Sequence, residues 1–252
     1  MFIAKTEKIR EIAEEKQDIL DQLNILLDGN VKMYIDYANV KPWSEKLGWH
    51  IEIKRLRQFL ECFDNIKQVN FYHGELEGNE HSEREINIIK SAYFNLRTKP
   101  VKIMKHSIDA SSVTLDSKDL LSQFIRKALM RKYTGETVEY LNTKFKEMNT
   151  QGQYFIEDRK CNFDVEIGVD MLLDCERGET DTFVLWSGDS DFADSVNKLL
   201  DSGKKVILFA TARRVSTELQ QCRVKGLKIF DIQKINDFIC RQSELKKAKG
   251  TT

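Results

Sequence analysis

The chain has 252 residues, 41% hydrophobic and 32% charged, which is long enough for a sizeable core in one large domain or a domain with an appendage. Forty Lys and Arg balance forty Asp and Glu, so no global field advertises a nucleic-acid partner and any such contact must come from local patches. Five scattered cysteines (Cys62, Cys161, Cys175, Cys222, Cys240) show no CxxC or Cys/His spacing, which argues against a zinc site and a disulfide framework; with no signal peptide and no apolar run near membrane length, a soluble cytoplasmic protein without membrane contact is expected.

Residues 1–27 predict one amphipathic helix. Ile9, Ile12, Lys16, Ile19, Leu23 and Leu26 follow alternating three- and four-residue steps, an a/d stripe with one lysine in it. Such a stripe either lies on its own domain or pairs with a second copy to make a homodimer. Asp28-Gly29-Asn30 ends it. Val31 to Asp36 then reads as a strand that stops at a carboxylate, followed by Tyr37-Ala38-Asn39. A helical pattern over 53–63, a strand over 68–72, a helix over 81–96 broken by Pro100, and a strand over 101–104 complete a strand–helix alternation. That alternation implies right-handed crossovers and a parallel sheet.

Residues 107–160 interrupt the pattern. They predict a helical insertion made of two helices, 117–132 and 135–148, the first with an apolar face (Leu120, Leu121, Phe124, Ile125, Ala128, Leu129) and a basic remainder that includes Arg126 and Arg131. Residues 163–175 follow as a helix with Val165, Val169, Leu172 and Leu173 expected to face inward. The apolar run 183–186 is a buried strand that ends at Ser187-Gly188-Asp189-Ser190-Asp191-Phe192, where a helix begins at once. Gly203 is a helix C-cap, 206–210 a fifth strand, 214–222 a helix, 227–230 an edge strand, 235–241 a last helix and 242–252 a polar tail.

Acids recur at strand and helix ends: Asp36, Asp164, Asp170, Asp189 and Asp191. In a doubly wound sheet, ligands bind beyond the carboxyl ends of the strands where strand order reverses. If the first and fourth strands are neighbours, Asp36 faces Asp189 and Asp191 there, and Asp164 leads in. Asp170, six residues later, points about 240° away around the helix. Carboxylates converging without a cation repel and raise at least one pKa. Oxygen-only donors favour Mg2+ or Mn2+ over zinc, and such a site suits phosphodiester hydrolysis. The plain alternative is that Asp189 or Ser190 caps the helix and Asp191 answers its dipole.

The residues also carry a resemblance. Ile35-Asp36-Tyr37-Ala38-Asn39 resembles the opening IDxxN motif of NYN domains, the LabA-like branch of the PIN-like nucleases. Phe163-Asp164-Val165-Glu166-Ile167-Gly168-Val169-Asp170 is similar to that family's VDVxxxVD segment. Ser187 to Phe192, then Gly203-Lys204-Lys205-Val206, is similar to its SGDSDF and GKKV segments, and Ser216 to Leu219 to its late SxxL. The resemblance implies a PIN-like three-layer α/β/α sandwich over 29–241 with a central mainly parallel sheet, and an Mg2+- or Mn2+-dependent ribonuclease. It implies Asp36, Asp164, Asp189 and Asp191 as metal ligands, Asn39 as the residue orienting Asp36 or a phosphate, and Asp170 as a secondary acid. Departures are the family lysine before the Asp164 position, where Cys161-Asn162-Phe163 stands with Lys160 upstream; the proline after SGDSDF, replaced near Ala193-Asp194; and an aspartate missing from 222–226.

A single-stranded RNA substrate needs cations for its phosphates. The candidates are Lys102, Lys105 and His106 after the third strand, Arg213 and Arg214 after the fifth, and Arg126 and Arg131 as a clamp, with Tyr37, Trp43 and Trp49 available to stack on bases. Two rivals remain: an RNA-binding module without chemistry, and a carboxylate–metal phosphatase, for which Asp36-Tyr37-Ala38 lacks a second aspartate.

Overall fold

A computed structural model describes residues 1–211 and 214–241. The chain forms two compact units, one built from Met1–Pro100 together with the chain from Cys161 onward, the other from Val101–Lys160.

The first unit is an α/β sandwich around a six-stranded parallel sheet, ordered β3-β2-β1-β6-β7-β8. Its strands are β1 (Val31–Asp36), β2 (Ile66–Glu75), β3 (Asn95–Pro100), β6 (Thr182–Trp186), β7 (Lys205–Ala210) and β8 (Lys228–Asp231). Thr182-Phe183-Val184-Leu185-Trp186 is buried at every position, as a central strand sealed on both faces must be. The chain steps from β1 to β2 to β3 in one direction and from β6 to β7 to β8 in the other. The order therefore reverses between β1 and β6, which are hydrogen-bonded neighbours. Helices Ile53–Leu60 and Glu80–Ser91 pack together, helices Asp164–Glu176 and Ala193–Asp201 pack together, and right-handed crossovers put the two pairs on opposite faces.

Four local expectations are corrected. The N-terminal helix is two helices, Glu7–Glu15 and Gln17–Leu26, broken at Lys16. The break lets Ile9 and Ala13 on one and Leu20 and Leu23 on the other all reach the core, while Lys16 pairs with Asp237 at 3.2 Å. The stripe thus lies on its own domain, and Ile3 and Ile25 are the large apolar side chains of this segment left exposed after Met1. Second, the helix expected over 81–96 ends at Ser91, and the main sheet's third strand is β3, not 101–104. Pro100 has no N–H to extend the ladder.

Third, helix Asp164–Glu176 is rotated from its expected setting. Ile167, Gly168, Met171 and Asp174 are buried, whereas Val165, Val169 and Leu173 are exposed. Two contacts set that rotation. A Cβ on Gly168 would lie 2.8 Å from the Ser195 hydroxyl, so any larger residue makes that hydroxyl turn away, and glycine gives the closest seat for the neighbouring helix. Asp174 accepts bonds from Tyr34 Oη at 2.6 Å and Lys32 Nζ at 2.7 Å, and pairs with Arg177 at 3.2 Å. Burial alone would raise the Asp174 carboxyl, but Lys32 and Tyr34 outweigh it and hold it below the usual range.

Fourth, the second unit is not purely helical. It contains an antiparallel pair, β4 (Lys102–Ser107) with β5 (Phe155–Lys160), and the helix Gly135–Thr150. The basic helix expected over 117–132 is replaced by single turns at Leu121–Gln123 and Lys127–Met130. Leu121, Met130 and Val138 form a small core while Leu129 is exposed, a burial pattern without helical period. No helix among the described residues is long and apolar enough to cross a membrane. The expected tail, 242–252, lies outside the described residues.

Tyr34→Phe removes one donor from a buried carboxylate and nothing else of size. It is expected to cost about 1–2 kcal/mol in urea denaturation with an unchanged m-value.

Candidate active site

The crevice forms where β1 and β6 end side by side. Ile35 lies opposite Trp186, so the next residues, Asp36 and Ser187, also meet. The Ser187 hydroxyl donates to Asp36 Oδ2 at 3.1 Å, and the Asn39 N–H donates to Asp36 Oδ1 at 3.3 Å. Asn39 thus orients Asp36 through its backbone. Asp36 is 3% exposed. Burial pushes its carboxyl up to about 6, the Asn39 and Ser187 bonds pull against that shift, and the charges of Asp164 and Asp189 add to it.

The turn after β6 is built by its own side chains. Asp189 Oδ1 accepts from the N–H of Asp191 at 3.2 Å and from the Ser190 hydroxyl at 3.4 Å, and the Asp189 N–H donates to Ser187 Oγ at 3.4 Å. Asp189 therefore is a cap as well as a member of the acidic group. Gly188 is required here, because a Cβ would lie 1.7 Å from the Arg214 carbonyl oxygen. Its own carbonyl accepts the Ser216 N–H at 3.1 Å, and the Ser216 hydroxyl accepts the Leu219 N–H at 3.2 Å. The Ser216 backbone thus ties the segment after β7 to the turn after β6, while its side chain caps the helix that follows.

Asp164 opens its helix, with its N–H on Asn162 Oδ1 at 2.7 Å. Burial raises its carboxyl, Asn162 lowers it, and Asp189 and Asp191 raise it. Asp164 Oδ2 is buried without a donor.

These acids fit a divalent cation by chemistry and charge. The donors are all oxygen, Asp36 and Asp164 are both raised, and an orphaned buried oxygen is an acceptor awaiting a positive partner. Among the described residues, however, no three or more His, Cys, Asp or Glu are already set around one point for a metal ion. The crevice is an electrostatically unsatisfied acidic pocket rather than a preformed cage.

Other candidates fall elsewhere. Asp170 is not brought into the group; it accepts from Tyr72 Oη at 2.7 Å and pairs with Arg97. Tyr37, Trp43 and Trp49 are buried rather than displayed for stacking, with Tyr37 against Phe71 and His73. Lys102, Lys105, His106 and Lys160 belong to the β4–β5 pair, where Lys105 lies 4.0 Å from Glu157. Arg126 and Arg131 merely flank a one-turn helix. Arg214 is half-buried beside Gly188, and Arg213 lies outside the described residues.

Sequence reasoning missed Lys99. It sits one residue before the end of β3, with Nζ 2.6 Å from Glu166 Oε1 and 4.5 Å from the centre of the Phe163 ring. With Asp164 and Asp191 it lines an open pocket of about 520 Å3. Reading 95–100 as a strand would have placed this lysine at the correct edge.

Residues 112–225 match the family model described as NYN domain. The NYN match takes in Asp164, Asp170, Asp189, Asp191 and Ser216 and covers fewer than half of the 252 residues, leaving Asp36 and Asn39 outside it. Among solved structures, a protein of unknown function, VPA0982 from Vibrio parahaemolyticus RIMD 2210633, is similar at 16% identity and a TM-score of 0.49, over 83% of this chain and 94% of that one. No curated protein matches the chain.

Because the folded Asp36 pKa of about 6 exceeds the unfolded value, the native state holds a proton between roughly pH 4 and 6 that the unfolded chain has lost. Stability of the cation-free protein should therefore fall as pH rises through that window. Asp36→Asn removes the effect: in urea denaturation with EDTA it is expected to gain about 2 kcal/mol over wild type at pH 7.5, a gain that fades by about pH 4.

Proposed function

We propose that the protein is a metal-dependent endoribonuclease of the NYN type. The observation that carries this reading is the meeting of Asp36, from the end of β1, with Asp164 and Asp189 from the NYN-matched stretch, at the reversal of strand order. NYN domains are nucleases on a PIN-like fold, and an acidic crevice at that point in an α/β sheet is where a ligand binds.

Asp36, Asp164, Asp189 and Asp191 would hold Mg2+ or Mn2+. Bound there, the cation would supply charge neutralisation at the phosphodiester and make water more acidic. The chain's own residues prepare the crevice. Ser187 and the Asn39 N–H fix the Asp36 carboxylate, Gly188 and Ser216 fix the turn that presents Asp189 and Asp191, and Gly168 lets the helix that begins at Asp164 pack close to its neighbour. Lys99 adds a cation on the same edge for the substrate's own charge.

The test is incubation with labelled single-stranded RNA and Mn2+ or Mg2+, beside Asp36→Asn and Asp189→Asn. Cleavage at internal bonds is expected, abolished by EDTA, and at least about 100-fold slower in either variant, since loss of an outer-shell partner alone costs 10–100-fold at metal sites. Wild type and variants that bind RNA and leave it equally intact would replace the nuclease with an RNA-binding module; turnover of a phosphomonoester in place of RNA would make it a phosphatase.

A further inference from the structure

An all-parallel sheet is normally covered by helices on both faces; among the described residues of this unit, cover thins out toward the β3 edge, where Asn95 and Arg97 are exposed while Asn70 and Tyr72 on β2 are buried. Helix Asp164–Glu176 packs on β1. Beside it, β2 and β3 present alternate residues that are nearly all polar: Gln68, Asn70 and Tyr72 on one strand, Asn95, Arg97 and Lys99 on the other. The residues between them, such as Val69 and Phe71, are apolar and buried on the opposite face, with Phe94 stacked on Phe71. On this face the β3 side chains Asn95 and Arg97 reach solvent, while Tyr72 lies against Phe163 and bonds Asp170.

The register ties this surface to the acidic crevice. Asp36 lies opposite Tyr72, and Tyr72 opposite Arg97, so one row crosses three strands. At about 4.8 Å per strand, Arg97 stands roughly 10 Å from Asp36 along that row. Lys99 is the next same-face residue toward the carboxyl edge, opposite Gly74, which offers no side chain. In the other direction, Gln68, Asn70, Asn95, Arg97 and Arg177, with the ion-paired carboxylates Asp170 and Asp174, line an open cavity of about 370 Å3 between the strands and the helix.

The chemistry of that cavity is specific. Asn70, 5% exposed, accepts from Gln68 Nε2 and from Asn95 Nδ2 through its single Oδ1, each at 2.6 Å. Among the described residues this leaves the Asn70 NH2 and the Gln68 and Asn95 carbonyl oxygens without a protein partner, a mixed set of donor and acceptors. A base edge needs such a mixture. Arg97 and Lys99 are held by Asp170 and Glu166 in pairs that remain open to solvent. Such pairs contribute about 0–1 kcal/mol each, so a phosphate can displace the carboxylate.

We propose that the exposed β3 edge, with the open cavities on either side of Arg97, is the track for single-stranded RNA, with Arg97 and Lys99 on two backbone phosphates leading toward the acidic crevice and the Gln68–Asn70–Asn95 group on one base. The direction of the track rests on the nuclease reading; binding to it is measurable without cleavage.

The test uses the full chain with fluorescein-labelled A12 and U12 RNAs, by anisotropy in EDTA across a salt series, with Mn2+ cleavage measured in parallel and circular dichroism melts to confirm folding. Arg97→Ala/Lys99→Ala is expected to bind at least about tenfold more weakly at low salt, with a log–log salt slope smaller by about 1.4, the value for two single-strand phosphates. Glu166→Gln unmasks Lys99 and should tighten binding, a gain that a purely structural ion pair would not yield. Asn95→Ala should change the ratio of A12 to U12 affinity and leave the slope alone. If the double variant does not fold, Arg97→Gln and Lys99→Gln singly should each reduce the slope by about half as much. Folded variants with wild-type affinity and slope, beside a wild type that binds and cleaves, overturn this inference alone. A wild type that neither binds nor cleaves overturns the track and the nuclease reading together. Binding that depends on Arg97 and Lys99 without any cleavage keeps the track and removes the chemistry.

Discussion

Parallel pairing of β1 with β6 sets Ile35 against Trp186 and carries Asp36 and the Ser187–Asp191 turn to the same point beyond the sheet. Both strands are almost entirely buried, so the core that stabilises the pairing is what forces the acids together. The electrostatic cost of that proximity appears in the carboxyls themselves. Asp36 and Asp164 are both pushed up, first by burial and then by acidic neighbours, and one Asp164 oxygen has no donor at all. A fold that tolerates such a group stores an attraction for positive charge at one edge of the sheet.

The surrounding structure keeps the acids from relaxing away. Gly188 admits the Arg214 carbonyl where any Cβ would collide, so the turns after β6 and β7 are wedged together. Gly168 leaves room for the Ser195 hydroxyl between the helices beginning at Asp164 and Ala193. The buried Asp174, tied to Tyr34 and Lys32, fixes the rotation of the first of these helices nearly three turns below Asp164. That rotation turns Asp170 toward Arg97 and Tyr72 instead of toward the crevice. The same helix thus divides its acids between the acidic edge at its start and the paired cations of β3 along its flank.

Much of this was legible in the chain. The strand pattern of 31–35, stopping at Asp36, and the apolar run 183–186, stopping at the Ser-Gly-Asp-Ser-Asp turn, identify buried strands and their acidic ends, and the strand–helix alternation implies the parallel sheet. The Ser-Gly-Asp-Ser-Asp turn and the S-x-x-L segment were recognisable because each is a local device whose hydrogen bonds close within a few residues. The errors share a cause. Val165, Val169 and Leu173 have helical spacing but lie outside, because a buried aspartate with three partners competed for the inward face. Tyr37, Trp43 and Trp49 look available for stacking and are packed instead. Residues 95–100 carry too few apolar side chains to advertise a strand, since one face of that strand is open and polar.

By itself the sequence determined the elements whose physics is local or periodic: which segments are buried strands, where each stops, and which acids stand at those stops. Only the tertiary structure decided which acids share a crevice, that Lys99 joins their edge, and that Asp170 does not. Strand order, helix rotation and the face a side chain occupies are settled by partners dozens of residues away, such as Tyr34 with Asp174 or Asp36 with Ser187, and no local pattern in either segment encodes its partner.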